Sequence, residues 1–262
     1  MSYILNNEGL GSWIRKEVEL AKTLKKGARG QPIKRVQEWL NLHEFGLVID
    51  GDFGSVTKRK VAQFQDSRGL DSTGTVNAKT FQELVAPLWE VLQPITTVHQ
   101  FPRLVLAYAK VHLKQHPREV GGQNCGPWVR LYMKGHEGEA WPWCAGFVTF
   151  LLKQAAQTLQ MTPPIQGSFS CDTLVAQAKD AGLFVKESDL SRGDTYAKEL
   201  SLASIFLVRR TSTDWTHTGL SSEFNADSFD TIEGNTNDEG SREGYEVCAR
   251  TRGYGKKDFI LL

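Results

Sequence analysis

Cys144 stands between an aromatic turn, Trp141-Pro142-Trp143, and an apolar run from Ala145 to Leu152. A cysteine placed where a turn becomes a helix has its sulfur aimed along the free N–H groups of the first helical turn, whose partial positive charge favours thiolate over thiol. The competing description is a buried structural thiol, since free cysteine is among the most buried residue types. A thiolate nucleophile also needs a base, and usually a third group that fixes the base. His43, His99, His112, His116 and His136 fall on expected helix surfaces, in loops or in a linker, whereas His217 falls at the start of an expected strand in DWTHTGLSSEF. Glu233 and Asn235, two apart in FDTIEGNTN, should project from one face of the next strand. On adjacent antiparallel strands a same-face histidine and carboxylate come within hydrogen-bonding reach. The order along the chain is therefore Cys144, His217, Glu233, Asn235.

These residues need elements to hold them. At 262 residues the chain is long for one unit, so two domains are expected. With 40% hydrophobic and 23% charged residues it is ordinary globular material rather than a disordered or fibrous chain. Thirty-one basic against thirty acidic side chains leave +1, which supplies no field to attract nucleic acid or an anionic membrane. Cys125, Cys144, Cys171 and Cys248 are too scattered for a disulfide scaffold and form no CxxC pair for zinc. His112 and His116 are four apart, but the LKQ between them supplies no glutamate, so a solvated helix face is expected there. No stretch reaches the roughly 18 to 20 apolar residues of a membrane span, and MSYILNNEGLGSWIRKE lacks a signal-peptide pattern. The expectation is a monomer made in the cytoplasm, without a cofactor.

Residues 12–25 carry a broad apolar stripe through Trp13, Ile14, Val18, Leu20, Ala21 and Leu24, read as a leader helix. A self-similar stretch follows: DGDFGSVT at Asp50 to Thr57 aligns with TGTVNAKT at Thr73 to Thr80, 23 residues later. Each copy has a glycine turn, an apolar plug and a threonine near a helix start. Ile33, Val36 and Leu40, then Val61 and Phe64, then Phe81 and Leu84 give three helices an inner face, which makes a small three-helix bundle. The two prolines of LWEVLQPITTVHQFPR place a linker, and the chain divides as leader 1–23, bundle 24–88, linker 89–103 and a second domain 104–262. Within that domain, helices are expected at Val105 to His116, around Trp128 to Tyr132, after Cys144 and at Asp172 to Ala181. Strands are expected at Ser204 to Val208, Thr216 to Ser222, Ser228 to Glu233, Tyr245 to Thr251 and Phe259 to Leu262. Helices first and strands afterwards argue an α+β fold with helices packed on one antiparallel sheet.

The bundle resembles the peptidoglycan-binding modules of bacterial and phage cell-wall hydrolases, on the Gly27 and Gly30 turns, Val36, Gln37 and Leu40, Asp50-Gly51-Asp52-Phe53-Gly54, Thr57, Phe64-Gln65 and Gly69-Leu70. That resemblance implies peptidoglycan as partner. Asp50, Phe53 and Gln65 are the candidates for ligand contact; turn capping, core plug and helix surface are their respective structural alternatives.

Residues 118–253 resemble the CHAP family of papain-like cysteine- and histidine-dependent amidohydrolases and peptidases, on GGQNCGPWVRLYM, WPWCAGFVTFLL, the HTGL strand and TIEGN. The resemblance implies Cys144 as nucleophile, His217 as general base and then acid, and Glu233 as the group orienting the imidazole, with Asn235 sharing that role. Gln123 or Asn124 suits a second oxyanion donor, a turn cap being equally open for both. Trp128, Trp141 and Trp143 are candidates for cleft walls or core. Some phage relatives bind calcium through an Asp-rich loop before the nucleophile; KGHEGEAWPW offers only Glu137 and Glu139, so no metal is expected. The implied activity is amide hydrolysis in the wall peptide or at its junction with muramic acid, the substrate being reached through a holin or by injection, with an immunity protein as partner in the second case. The alternative is a wall-binding protein whose hydrolase-like domain is inactive.

Overall fold

The five tail segments rich in β-branched and aromatic residues all form strands, and the apolar run after Cys144 forms the longest helix of the chain among the described residues. The computed structural model describes residues 10–190, 200, 202–237 and 244–262. In order these form α1 (Ser12–Val18), α2 (Gln31–Leu42), α3 (Ser55–Ser67), α4 (Ala78–Leu84), α5 (Ala86–Leu92), α6 (Phe101–Gln115), α7 (Pro127–Tyr132), α8 (Cys144–Leu159), α9 (Cys171–Asp180), β1 (Phe184–Val185), β2 (Ile205–Thr211), β3 (Asp214–Phe224), β4 (Ser228–Thr236), β5 (Glu246–Gly253) and β6 (Lys257–Ile260). The fold is α+β. Two compact units divide the chain, residues 1–93 with 118–139, and residues 94–117 with 140–262.

In the first unit the two-copy pattern is built around two glutamines. Gln37 on α2 accepts from the Gly51 N–H at 2.8 Å and donates to Asp50 at 2.8 Å, with the Asp52 carbonyl and Thr57 also in reach. Gln65 on α3 repeats this, accepting from Gly74 N–H at 2.8 Å and donating to the Thr75 carbonyl and Thr80 hydroxyl. Each side chain closes a turn whose glycine has a positive φ, 74° at Gly51 and 67° at Gly74. Phe53 and Val76, the aligned plugs, are fully buried.

The leader helix is shorter than its stripe. It ends at Val18 because Leu24 pairs with Val76 in both directions, at 3.0 and 2.8 Å, which commits that segment to extended backbone. Residues 89–103 are not all linker: α5 runs to Leu92 and α6 starts at Phe101. Pro87 and Pro102 sit in the first turn of these helices, where a missing N–H is harmless. The segment 118–139, expected within the second domain, belongs to the first unit. Arg130 on α7 is buried there among Glu17 of α1, Glu38 of α2 and Glu137, at 2.6–2.8 Å for the closest contact to each. Burial raises the Glu38 carboxyl, although Arg130 pulls against that rise.

In the second unit the strands form one antiparallel sheet in the order β1-β6-β2-β3-β4-β5. Both α8 and α9 pack on β3, and α8 also packs on β4 and α6. Gly234 permits the packing on β4. A Cβ on Gly234 would come within 2.8 Å of Phe147 and Trp143, so the helix start lies directly on β4. His112 corrects the expectation of a solvated face: it is fully buried on α6, 3.3 Å from Gln154 of α8 and edge-on to Phe147 and Phe150. Burial holds its ring neutral, down to about 3.

Candidate functional site

The helix α8 begins at Cys144 because Trp143 is fixed from two sides. Its N–H donates to the Asn235 side chain at 2.6 Å, and its carbonyl accepts from Phe147 N–H at 2.8 Å. Cys144 is 7% exposed at this helix start, and its sulfur is close enough to the Cys171 thiol, the His217 ring and the Ala145 amide for all three to favour its ionised form.

Bulges aim the two partners on the sheet. On β3 the register gains a residue just before His217, where Val208 pairs with His217 and Arg209 with Trp215. Glu233 lies across from Gly219, whose missing side chain leaves it room: a Cβ there would stand 2.9 Å from the Glu233 Cγ and 2.8 Å from Phe206. The His217 Nε2 lies 2.8 Å from a Glu233 carboxylate oxygen. With Nε2 engaged, Nδ1 is the nitrogen available to sulfur. The other Glu233 oxygen accepts from Thr231 at 2.6 Å, and Arg252 on β5 donates to both oxygens at 2.5 and 2.6 Å.

Asn235 does not share the orienting role expected for it. A second bulge between Glu233 and Thr236 breaks the two-residue period, and Asn235 adopts a left-handed φ of 55° that asparagine tolerates. Its amide group donates to the Gly244 carbonyl while its oxygen holds Trp143. Asn235 thus fixes the residue before the sulfur, and Glu233 alone holds the ring.

The electrostatics follow from this chain of contacts. The Cys171 hydrogen bond and then the His217 ring hold the Cys144 thiol well below its usual range, against burial. Burial opposes charge on His217, but hydrogen bonds from Cys144 and Glu233 outweigh it and push the ring up to about 9. Burial likewise opposes the Glu233 carboxylate, yet Arg252 and His217 bring it down to about 2. These shifts favour the thiolate–imidazolium form of the Cys144–His217 pair, beside a carboxylate paired with Arg252. Such a pair places a pre-formed nucleophile beside a proton donor, the arrangement of acyl transfer.

Other expected site residues have different surroundings. Trp141 is half-buried and packs edge-on to Phe169, whereas Trp143 is fully buried. Gln123, Asn124 and Trp128 lie in the first unit. Gln123 is exposed; Asn124 takes its turn-cap alternative, with φ 51°, its N–H on Glu119 and its amide on the Glu139 carbonyl. Trp128 packs against Trp39 and Tyr132 in the core. Cys125 is no rival nucleophile, because burial and the carboxylates of Glu137 and Glu119 raise its thiol. In the module, Phe53 is the core plug and Gln65 the buried turn anchor rather than helix surface. Asp50 is exposed beside a 470 Å³ depression lined by Arg29, Gln31 and Lys34. A second depression of that unit, 660 Å³, is lined by Arg15, Lys16, Lys22 and Arg35 and takes no part in the thiol chemistry.

The sequence reading missed Arg252 and Cys171. Nothing in the strand pattern marks Arg252. Cys171 did carry a signal, since it follows the N-cap serine Ser170 and so repeats the placement of Cys144 at a helix start.

Residues 29–84 match the family model described as "Putative peptidoglycan binding domain". The match covers the two-glutamine module and supports association of the chain with the cell wall. A search of curated proteins finds no match to this chain.

Proposed function

We propose that the chain is a peptidoglycan hydrolase, with a wall-binding module and a papain-like domain of CHAP type that cleaves an amide bond of the wall peptide. The observation that carries this reading is the row Cys144, His217, Glu233 and Arg252, in which Glu233 bonds both His217 and Arg252 and the sulfur stands beside His217 at the start of a buried helix. In the resting site the proton already sits on His217. The Cys144 thiolate attacks the amide carbonyl, and the free N–H groups at the start of α8 face the developing oxyanion. Collapse breaks the C–N bond as the imidazolium gives its proton to the leaving amine. Neutral His217 then takes a proton from water, whose oxygen attacks the thioester; collapse releases the acid and restores the ion pair. The wall lies outside the membrane, so holin-mediated release or injection by a contractile system brings the enzyme to it.

Purified sacculi incubated with the protein should lose turbidity, and mass spectrometry of the soluble muropeptides should show one new amino terminus per cut, which identifies the bond. Cys144→Ala should pellet with sacculi but release nothing. Clearing by that variant would overturn the mechanism; pelleting of the unmodified protein without products would favour the inactive, wall-binding alternative.

A further inference from the structure

The thiol mechanism leaves one buried nucleophile unused. Cys171 is 7% exposed, as is Cys144, and each opens a helix that packs on the strand bearing His217. Three sets of contacts hold the two helix starts together. Thr149 on α8 donates to the Ser168 carbonyl at 2.7 Å and accepts from the Ser168 N–H at 2.9 Å. Trp141, three residues before Cys144, lies edge-on to Phe169, two residues before Cys171. Asp172 accepts from the Trp215 N–H at 2.8 Å, which ties the start of α9 to β3 two residues from His217. The two thiols lie close enough that each shifts the other's ionisation, Cys144 downwards and Cys171 upwards.

We propose that Cys144 and Cys171 form a redox-active dithiol: a hydroperoxide oxidises Cys144 to a sulfenic acid, Cys171 resolves it as a disulfide, and the site is switched off until a thiol reductant reopens it. This rests on the hydrolase reading for its effect on activity, but not for its chemistry. In the first step the Cys144 thiolate displaces hydroxide from the peroxide O–O bond, giving the sulfenic acid; in the second the Cys171 sulfur attacks that sulfur and water leaves. Sulfur is oxidised and peroxide reduced in equal measure. The division of labour follows from the opposite directions in which the two thiols are shifted. Its link to Cys144, and then burial, keep Cys171 protonated while its partner is a thiolate. Oxidation removes that negative charge, and with it one of the influences that hold the proton on Cys171. Deacylation requires water at Cys144, and a hydroperoxide is one oxygen larger. Closure joins the two sulfurs in a bond of about 2 Å.

The test uses the full chain carrying Cys125→Ser and Cys248→Ser, so that only the two thiols in question remain, with its sacculus clearing recorded first. Stoichiometric hydrogen peroxide should make the protein about 2 Da lighter, remove both titratable thiols, yield a Cys144–Cys171 cross-linked peptide and reduce clearing more than tenfold, all reversed by dithiothreitol. Adding Cys171→Ser should instead stop at a dimedone-reactive product about 16 Da heavier, which further peroxide carries to a sulfinic acid that dithiothreitol does not rescue. Circular dichroism and Cys171→Ala guard against misfolding of the serine variant. Retention of both sulfurs without a cross-link, or full rescue of the Cys171→Ser protein after excess peroxide, would overturn the proposal. Cross-linking in a protein that never clears sacculi would remove the hydrolase reading and leave the dithiol standing.

Discussion

Replacing Glu233 by glutamine changes one charge at constant shape. The carboxylate is fully buried and accepts from His217 at 2.8 Å and from Arg252 at 2.5 and 2.6 Å. His217 sits at about 9 against an ordinary 6.5, a rise worth about 3 kcal/mol at ~1.4 kcal/mol per unit. Two partners, Cys144 and Glu233, produce that rise, so loss of one should move the alkaline limb of kcat/KM down by about one unit. A less stable imidazolium also supports the thiolate less, so the acid limb should move up and the bell should narrow from both sides. At the optimum, kcat/KM should fall by about 10²- to 10⁴-fold, because an amide can present its N–H to the ring and turn it to the wrong tautomer. Arg252 would then face a neutral group, and breaking a buried pair costs about 3 kcal/mol or more, visible as a lower Tm. The assay is release of dye from labelled sacculi across pH 5 to 10, run below the variant's melting transition. A profile of unchanged width, with kcat/KM within about threefold of the parent, would refute the orienting role.

The remaining expectations concern positioning and stability. Gly219→Ala should destabilise by about 1–3 kcal/mol and abolish clearing, since its Cβ would overlap Glu233 and Phe206; normal activity with an unchanged Tm would contradict that packing. Gln37→Leu and Gln65→Leu should each lower the Tm by several degrees and weaken sacculus pelleting, because each leaves a glycine N–H and a threonine in its turn without their anchor. Arg130→Met should cost about 3–5 kcal/mol by leaving Glu38 buried without its cation and Glu17 with Arg35 alone, as read by urea denaturation. His112, down at about 3 in the fold, is uncharged there while the unfolded chain protonates near 6.5, so stability is full above that pH and declines below it towards 3. At pH 5 the loss should be about 2 kcal/mol, and His112→Gln should abolish this part of the acid sensitivity in denaturation measured at pH 7 and 5.

The strands and most helices were legible because period and punctuation specify them locally. The tail alternates and is cut by Asp, Asn and Gly, and the two glycine-plug-threonine copies announce themselves at a fixed offset. What stayed hidden depends on partners distant in sequence. Arg130 meets Glu17 across 113 residues and Glu38 across 92, so nothing nearby reveals that segment 118–139 belongs with the first unit. Asn235 was misplaced by a single inserted residue, because a bulge is invisible to a two-residue period. Gln65 looked like surface because helical spacing cannot report that a turn 9 residues later folds its glycine N–H back onto the side chain. His112 was misjudged for a similar reason: its burial comes from α8, not from its own helix. Cys144, His217 and Glu233 were legible together because helix start, strand and neighbouring strand are local features, and the sheet order only had to bring them side by side.

In the proposed acyl transfer the charge row also sets the order of steps without any moving part. In the resting site the thiolate is the stronger of the two influences holding a proton on His217. Acylation converts that thiolate into a neutral thioester, and the row loses one negative charge while Glu233 remains paired with Arg252. The imidazolium then becomes a stronger acid at the moment when the leaving amine needs its proton. Once it has given the proton, the neutral ring can act as a base towards water. Regenerating the thiolate raises the ring again and resets the pair. Arg252 has a definite part in this: by holding Glu233 ionised it keeps the ring oriented, and by drawing on the same carboxylate it keeps Glu233 from pinning the proton permanently. Arg252→Met should therefore slow deacylation more than acylation, so that acyl-enzyme accumulates in rapid-quench mass spectra, whereas equal slowing of both steps would assign Arg252 to structure alone.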